Sequence, residues 1–239
     1  MNLYKQVEKE LREDANDEKA RHHYRFFKAF PGGYGEGDRF FGITVPMQRK
    51  IANRYYQEIN TTEVEQLLQN PYHECRLTAL FIMRLKFEKS GSPITEEQHE
   101  IIRLYLANRS FVNNWDLVDS SAPYLLGPFL YHKDIDPLAT LAASGNLWEE
   151  RIAVLATFYF IRQGNYRETF KLAKHFHYHE HDLMHKAVGW MLREIGKRDF
   201  NAALNYLKEH YHDMPRTMLR YAIEKFEPDL RQQFLKGTI

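Results

Sequence analysis

Residues 181–197 read HDLMHKAVGWMLREIGK, and this stretch decides the fold class. Its apolar residues recur every three or four positions, which is the spacing of one buried face of an α-helix. Lys186 lies near its start, and Trp190 follows four residues later, so the two side chains share a face. The stretch therefore predicts an amphipathic helix that carries a basic and an aromatic side chain close together.

The same pattern recurs along the chain. Amphipathic helices with a cation near the start are also indicated around Arg76, Arg151 and Arg220. The steps from Arg151 to Lys186 and from Lys186 to Arg220 are 35 and 34 residues, close to the period of about 40 residues of HEAT-type arrays. The sequence thus predicts an all-α fold, a HEAT-like repeat superhelix (α-solenoid) of antiparallel helix pairs with a concave face, formed by residues 1–239 as a single domain.

Helix starts have identifiable caps. Asn16 opens a helical run through residue 28, and Pro46 takes a first-turn position. Thr95 with Gln98 forms a capping box. Asn146 with Glu149, at the start of a further helix, matches the capping-box pattern less closely. The remaining apolar-periodic runs are residues 62–69, 73–88, 96–107, 115–131, 136–143, 147–162, 165–176, 181–197, 200–211, 215–226 and 229–235.

A glycine-rich segment, FPGGYGEGDRFFG at residues 30–42, interrupts the helices. It predicts a loop or a short hairpin. The segment lacks the Gly-Lys-Ser/Thr ending and the flanking strand of a phosphate-binding loop, which argues against nucleotide binding. We expect a tight turn that is ordered by Tyr34 and Phe40.

Composition and charge exclude several classes of protein. Hydrophobic residues make up 44% of the chain and aromatic residues 14%, which is typical of a folded protein. The longest apolar run, residues 152–161, is about half of the roughly 20 residues that a membrane span needs. The charged, amphipathic N-terminus does not resemble a secretory signal, so we expect a cytoplasmic protein. Cys75 is the only cysteine and is expected to be buried in a helix.

The formal charge is only +1, from 33 Lys plus Arg against 32 Asp plus Glu, so any nucleic-acid site must be local. A histidine-rich segment at residues 175–185, HFHYHEHDLMH, offers i,i+4 pairs of possible metal ligands. It contains no HExxH pattern, and its other histidines would point to different helix faces. An exposed turn between helices is the favoured interpretation, and no metal is expected.

Aromatic and acidic residues meet in NNWDLVDSSAPYLLG, at residues 113–127. Trp115 and Asp119 are four residues apart and share a helix face, with Asp116 turned partly away. An isolated pair of this kind is more often a core aromatic with solvated or capping carboxylates. Core packing is also the favoured interpretation of Trp148, which precedes Arg151 by three residues.

Four stretches, WDLVDSSAPYLLG, NLWEER, KAVGWMLREIGK and MPRTMLRYAIEKF, resemble in order and spacing the AlkD-type DNA alkylation-repair family. The resemblance spans almost the whole chain. It implies a HEAT-like solenoid and a DNA glycosylase that hydrolyses the N-glycosidic bond of cationic N3- and N7-alkylated purines. It also implies duplex DNA containing alkylated purines as the partner, no metal or other cofactor, and no membrane. Nothing in the sequence calls for an oligomer, so a monomer is expected.

The resemblance assigns roles to particular residues. Asp119 matches the family's catalytic carboxylate, and Trp115 and Trp190 match aromatic residues beside the damaged nucleoside. Arg151 matches an arginine that contacts the DNA backbone. We expect Asp119→Asn to lower base release at least tenfold, about 1.4 kcal/mol of barrier, while folding and duplex binding persist.

Further DNA contacts are expected from Lys186 and Arg193. For Arg193, an i,i+1 or interhelical ion pair with Glu194 or another acid is an equal alternative. Phe26 falls where some family members have a tyrosine, with Tyr24 about half a turn away. Because of this difference, a HEAT-repeat protein that binds DNA without catalysis remains an alternative function. A scaffold that binds another protein on its concave face is a third alternative.

Overall fold

A computed structural model describes residues 2–91, 94–131 and 136–239. Within these residues the chain forms 15 α-helices and one short 3-10 helix, and its β-structure is confined to a single bridge between Arg39 and Tyr72. The predicted all-helical fold is confirmed. No helix in the described ranges is long and apolar enough to cross a membrane.

The chain divides into two compact units, residues 1–121 and 122–239. The assignment of residues 1–239 to one repeat domain stays a prediction. The helices of the first unit are α1 Leu3–Glu13, α2 Asp17–Phe26, α3 Val45–Tyr55, α4 Thr61–Leu68, α5 His73–Lys89, α6 Glu96–Ala107 and α7 Trp115–Ser121, with the 3-10 helix Arg109–Phe111 before α7.

Helix α5 is the centre of the first unit, because it packs against α1, α3, α4, α6 and α7. The helix is buried on most sides, and its buried residues include polar side chains near its start. Cys75 lies in this helix, is fully buried as expected, and has a thiol whose pKa is raised by burial. The polar residues at the start of α5 therefore need partners inside the protein.

The second unit contains α8 Leu126–Tyr131, α9 Asp136–Ala142, α10 Leu147–Arg162, α11 Arg167–His175, α12 Asp182–Gly196, α13 Phe200–His210, α14 Arg216–Ala222 and α15 Pro228–Lys236. Helix α10 packs against α8, α9, α11 and α12, and α12 packs in turn against α13 and α14. The predicted runs 96–107 and 147–162 coincide with α6 and α10.

The predicted caps are present. Thr95 and Gln98 form the full capping box, in which each side chain accepts a hydrogen bond from the other residue's backbone N–H. Asn146 accepts hydrogen bonds from the backbone N–H groups of Trp148 and Glu149, a one-sided cap. These bonds satisfy N–H groups that the first turn of a helix leaves unpaired.

The predicted continuous run at residues 115–131 is wrong, because the chain forms two helices there. Helix α7 ends at Ser121 and α8 begins at Leu126. Pro123 lies in the break. Proline has no backbone N–H and disfavours the helical conformation of the residue before it, so an otherwise periodic apolar sequence is interrupted.

Gly189 allows α12 and α14 to approach closely. A Cβ on Gly189 would lie 2.5 Å from the Met218 carbonyl oxygen and 2.5 Å from the Tyr221 Cβ. Both distances are far below van der Waals contact, and the first involves backbone that cannot rotate away. Gly189 is therefore required by the helix crossing.

Gly127 makes the same approach to α10. Its Cβ would lie 2.5 Å from the Ala156 carbonyl oxygen and 2.8 Å from the Tyr159 Cβ. Each of these three residues lies 62 positions before its counterpart in the contact between α12 and α14. The second unit thus contains a structural repeat in which a glycine is the point of closest helix approach.

Gly189→Ala is expected to lower the free energy of unfolding by about 2 kcal/mol, because the added methyl group overpacks the crossing. Gly196→Ala, in the same helix, is the matched control, since its Cβ would lie at an ordinary distance of 3.5 Å from Ala203. Urea unfolding of both variants measures the difference. Equal stability of the two variants would contradict this explanation of the glycine.

Candidate functional site

The short helix α7 carries Trp115 and Asp119, one turn apart. The Asn114 side-chain oxygen accepts a hydrogen bond of 2.9 Å from the Trp115 backbone N–H, and the Val118 N–H donates to the Asn114 carbonyl. Asn114 is fully buried, which fixes the start of the helix. Both Trp115 and Asp119 are half-buried, so each remains partly open to solvent.

Aromatic rings surround Trp115. The ring of Phe26 meets the indole edge-on, with centroids 5.8 Å apart, and the ring of Phe27 stacks on it at 5.5 Å. Phe27 is buried, whereas Phe26 is 53% exposed. His22 stacks on Phe26, with centroids 5.9 Å apart. Phe26 and Trp115 therefore lie side by side, as parts of one aromatic surface of the first unit.

A buried histidine lies next to this aromatic surface. His73, the first residue of α5, contacts a carboxylate through each ring nitrogen: Nδ1 lies 2.9 Å from an Asp38 oxygen and Nε2 lies 2.8 Å from an Asp116 oxygen. Phe27 stacks on the imidazole at 4.8 Å between centroids, and Phe40 lies at 5.1 Å. His73 thereby links α5, the glycine-rich loop and the first turn of α7.

Electrostatics keep His73 charged. Burial lowers its pKa, but Asp116 and Asp38 raise it by more, to about 9. Arg76 donates a 2.5 Å hydrogen bond to the other oxygen of Asp38. Burial alone would raise the pKa of Asp38, yet the hydrogen bond from His73 and the charge of Arg76 lower it below its ordinary value. We call Asp38, His73, Arg76 and Asp116 the buried charge cluster.

The free energy of unfolding is expected to fall by about 2 kcal/mol between about pH 7 and pH 9. The folded protein holds the His73 proton up to a pKa of about 9, above the ordinary value of 6.5. This stabilisation is complete below the ordinary pKa and is lost as the pH rises through the folded value. Urea unfolding at several pH values should show the fall in the wild type and a flatter profile in His73→Gln. Parallel profiles would contradict the assignment.

Sequence reasoning missed most of this cluster. The sequence favours a solvated or capping carboxylate for Asp116, and the structure corrects this: the side chain is 13% exposed and is held by His73. Asp116 does accept a local hydrogen bond from the Leu117 N–H. From sequence, Arg76 is predictable only as the cation near the start of an amphipathic helix. Asp38, His73 and Asp116 are far apart in sequence, so no local spacing connects them.

The glycine-rich segment is a loop anchored by Glu74. The buried Glu74 carboxylate accepts hydrogen bonds from the backbone N–H groups of Phe41, Gly42 and Ile43, at 3.0, 2.9 and 3.3 Å. Phe40 stacks on Phe27 at 5.5 Å between centroids, which confirms its predicted ordering role. The loop therefore holds Asp38 in place for its contact with His73.

In the second unit, the predicted backbone-binding cations have protein partners. Arg151 is 4% exposed, and its guanidinium donates to the Leu183 carbonyl at 2.6 Å. Lys186 pairs with Asp182 at 2.7 Å. Arg193 forms an ion pair with Glu224 in α14, so the interhelical alternative for this residue is confirmed, with Glu224 in place of Glu194. Their contacts with DNA stay predictions.

Trp190 is half-buried on α12 and belongs to a polar and aromatic group. Its indole N–H donates to Glu194 at 3.3 Å, and its ring lies 6.1 Å from that of Phe158. Glu194 also accepts hydrogen bonds from Lys197 at 2.5 Å and Arg198 at 3.0 Å. Burial would raise the pKa of Glu194, but the two cations lower it below its ordinary value. The orientation of the indole is therefore set by a charged carboxylate.

Trp148 differs from its predicted place in the core. It lies in the first turn of α10 and is only half-buried. Its position in the first turn, two residues after the exposed cap residue Asn146, accounts for this partial exposure.

The histidine-rich segment connects α11 and α12, as predicted, but it is not an exposed turn throughout. His177 is 4% exposed and lies 3.1 Å from the Tyr206 hydroxyl, and burial lowers its pKa. His179 lies 2.9 Å from Glu150. Across the described part of the chain, no group of three or more His, Cys, Asp or Glu residues is arranged to hold a metal ion.

Two comparisons with known proteins point to the same family. A solved structure described as a "predicted DNA alkylation repair enzyme from Enterococcus faecalis" is similar with a TM-score of 0.69 and 18% sequence identity. The match covers 90% of this chain and 97% of that chain, and at such identity it shows a shared fold. No curated protein matches the sequence. A family model described as "DNA alkylation repair enzyme" matches residues 7–226. With most of its length matched, the chain belongs to the DNA alkylation repair enzyme family.

Proposed function

We propose that this protein is a DNA glycosylase that hydrolyses the N-glycosidic bond of cationic N3- and N7-alkylated purines in duplex DNA and leaves an abasic site. The observation that carries the proposal is the pairing on α7 of a half-buried carboxylate, Asp119, with Trp115, whose indole adjoins the exposed ring of Phe26. A carboxylate beside electron-rich rings suits a substrate that is positively charged.

Hydrolysis of this glycosidic bond requires little more than a carboxylate beside aromatic rings. Alkylation at N3 or N7 makes the purine cationic and therefore a good leaving group. As the glycosidic bond breaks, positive charge develops on the sugar, and the Asp119 carboxylate would stabilise this charge and orient the attacking water. The indole face of Trp115 would attract the cationic base by about 0.5–2 kcal/mol through cation–π interaction. A neutral purine is a poorer leaving group and would lack the cation–π attraction.

Residues of the second unit are proposed to hold the DNA. Trp190 would provide a further aromatic contact to the damaged nucleoside, and Lys186, Arg193 and Arg151 would contact phosphates. The ion pair of Lys186 with Asp182 is partly exposed, so exchanging it for a phosphate costs about 1 kcal/mol or less. Arg151 is nearly buried and is committed to the Leu183 carbonyl, so it is the least available of the three.

The proposal is tested with a duplex oligonucleotide that contains a single N7-methylguanine. Incubation with the protein should produce a site that breaks on heating in alkali, because an abasic site is alkali-labile. The same modified duplex, treated identically without the protein, is the control, because N7-methylguanine is itself sensitive to hot alkali. Absence of alkali-labile sites above this control at saturating protein, with duplex binding intact, would contradict glycosylase activity.

A second candidate function is DNA binding without catalysis. It is favoured by one observation: Phe26, at the place where the family resemblance puts a tyrosine in some members, presents an exposed ring that has no hydroxyl group. A phenyl ring keeps apolar contact but cannot donate a hydrogen bond. The alkali-cleavage experiment discriminates between the two candidates.

A further inference from the structure

A cleft in the first unit lies between α2 and the glycine-rich loop. It has a volume of about 550 Å³ and is lined by Arg21, Tyr24 and Arg25 of α2 and by Arg39 and Phe40 of the loop. Neither Trp115 nor Asp119 lines it. The cleft therefore needs an explanation of its own.

The three arginines of this cleft are exposed and make no ion pair with any residue in the described ranges. Elsewhere in the same unit, Arg12 and Arg54 pair with glutamates at 2.9 and 2.6 Å. In a chain with a formal charge of only +1, three unpaired guanidinium groups around one cleft give a local positive potential.

Acidic residues near the cleft do not cancel this potential. Asp38 lies in its wall, but that carboxylate is buried and is already bound by His73 and Arg76. The acids of α2, Asp17 and Glu18, lie in its first turn, and no ion pair joins them to the cleft arginines in the described structure. The cleft therefore favours an anionic ligand.

The geometry of the cations favours an extended anion over a single ion. Arg21 and Arg25 are four residues apart on α2, so their side chains emerge about one helical pitch, roughly 5.4 Å, apart. Arg39 comes from the opposite side, where its backbone is fixed by hydrogen bonds to Pro71 and His73 of 3.3 and 2.8 Å. Cations on both sides suit a chain of phosphates.

An aromatic side chain completes the cleft. Tyr24 lies between the two arginines of α2 in sequence and is 40% exposed. An exposed ring among guanidinium groups is the combination with which proteins bind nucleic-acid strands: the cations contact phosphates and the ring contacts a sugar or stacks on a base. Arginine suits this role because its planar fork matches a phosphate.

We propose that this cleft binds the phosphodiester backbone of a nucleic-acid strand, with Arg21, Arg25 and Arg39 on phosphate oxygens and Tyr24 against the adjoining sugar or base. The inference rests on the proposed function only in taking DNA as the polyanion. It adds a contact site that is separate from the aromatic surface at Trp115. Unpaired and duplex DNA share this backbone, and the experiment distinguishes them.

The test compares two triple variants of the full chain that remove equal charge. Arg21→Gln, Arg25→Gln and Arg39→Gln alter the cleft. The matched control is Lys5→Gln, Lys50→Gln and Lys89→Gln, at exposed positions of the same unit outside the cleft. Fluorescence anisotropy measures binding of an undamaged labelled oligonucleotide, as a single strand and as a duplex, across a range of salt concentrations.

The cleft variant is expected to bind at least tenfold more weakly than the control variant. Its dependence of log affinity on log salt should also be shallower, by about 0.7 per lost phosphate contact for a single strand and about 0.9 for a duplex. A loss with the single strand alone would assign the cleft to an unpaired strand, and a loss with the duplex would assign it to duplex backbone. Each of these results supports the proposal.

Affinities and salt slopes equal to those of the control variant, with both forms of DNA, would overturn the proposal. Melting temperatures should be unchanged in both variants, since all six side chains are exposed. Failure of the proposed glycosylase would be seen separately, as absence of base release by the wild type. The binding measurements use undamaged DNA and do not depend on that activity.

Discussion

His73→Leu is expected to lower the free energy of unfolding by about 3–5 kcal/mol, the cost of removing one partner from a buried ion pair. Leucine fills a similar volume but cannot donate a hydrogen bond. The Asp38 and Asp116 side chains, which are 2% and 13% exposed, would then lose the imidazolium that both contact. Arg76 would remain beside Asp38 alone.

The size of the effect follows from burial. A carboxylate that is held away from water without a partner must either protonate or draw water into the protein, and each of these costs free energy. The cluster also connects α5, the glycine-rich loop and α7, so the disturbance should reach the start of the helix that carries Trp115. Intrinsic tryptophan fluorescence should change together with stability.

Urea unfolding measures this prediction, with His212→Leu as the control at an exposed histidine. A double variant, Asp38→Asn with His73→Leu, separates charge from packing. If the loss comes from an uncompensated carboxylate, the double variant should lose less stability than the sum of the single variants. A cost below about 1 kcal/mol for His73→Leu, as for an ordinary surface change, would contradict the role given to the cluster.

Asp119→Asn is expected to reduce the single-turnover rate of base release about a hundredfold, or about 2.7 kcal/mol of barrier. Asparagine has nearly the same shape but no negative charge, so it cannot stabilise positive charge on the sugar. Folding and affinity for undamaged duplex should change little, because Asp119 is half-buried at the surface of a short helix.

The control for Asp119→Asn is Asp14→Asn, which removes the same charge from an exposed position after α1. It should release base at the rate of the wild type. Rates for Asp119→Asn within about twofold of the wild type would remove this residue from its proposed role. A loss of melting temperature in parallel with activity would instead assign it a structural role.

The helices were largely predictable from sequence because apolar periodicity and capping residues act locally. The capping box at Thr95 and the bounds of α10 show this directly. The break after α7 does not follow from the apolar pattern, which continues through Pro123. The helix ends there because of the backbone restrictions of proline.

The candidate site was predictable only in part. The i,i+4 spacing of Trp115 and Asp119 is local and could be recognised, and Phe26 does lie against Trp115. The buried charge cluster joins residues from three distant segments, and its formation depends on how α5 packs against the loop and α7. Such contacts leave no periodic trace in one sequence. The same reason explains why the Leu183 carbonyl could not be predicted from sequence as the partner of Arg151.

The central claim is that this chain cleaves the bond between a cationic alkylated purine and its sugar. Chromatographic analysis of free bases released from a methylated duplex tests it most directly, with wild type and Asp119→Asn compared at the same salt concentration. We predict that the wild type releases free N3-methyladenine or N7-methylguanine and that Asp119→Asn releases far less. Release of neither base by the wild type, at protein concentrations that saturate duplex binding, would contradict the claim.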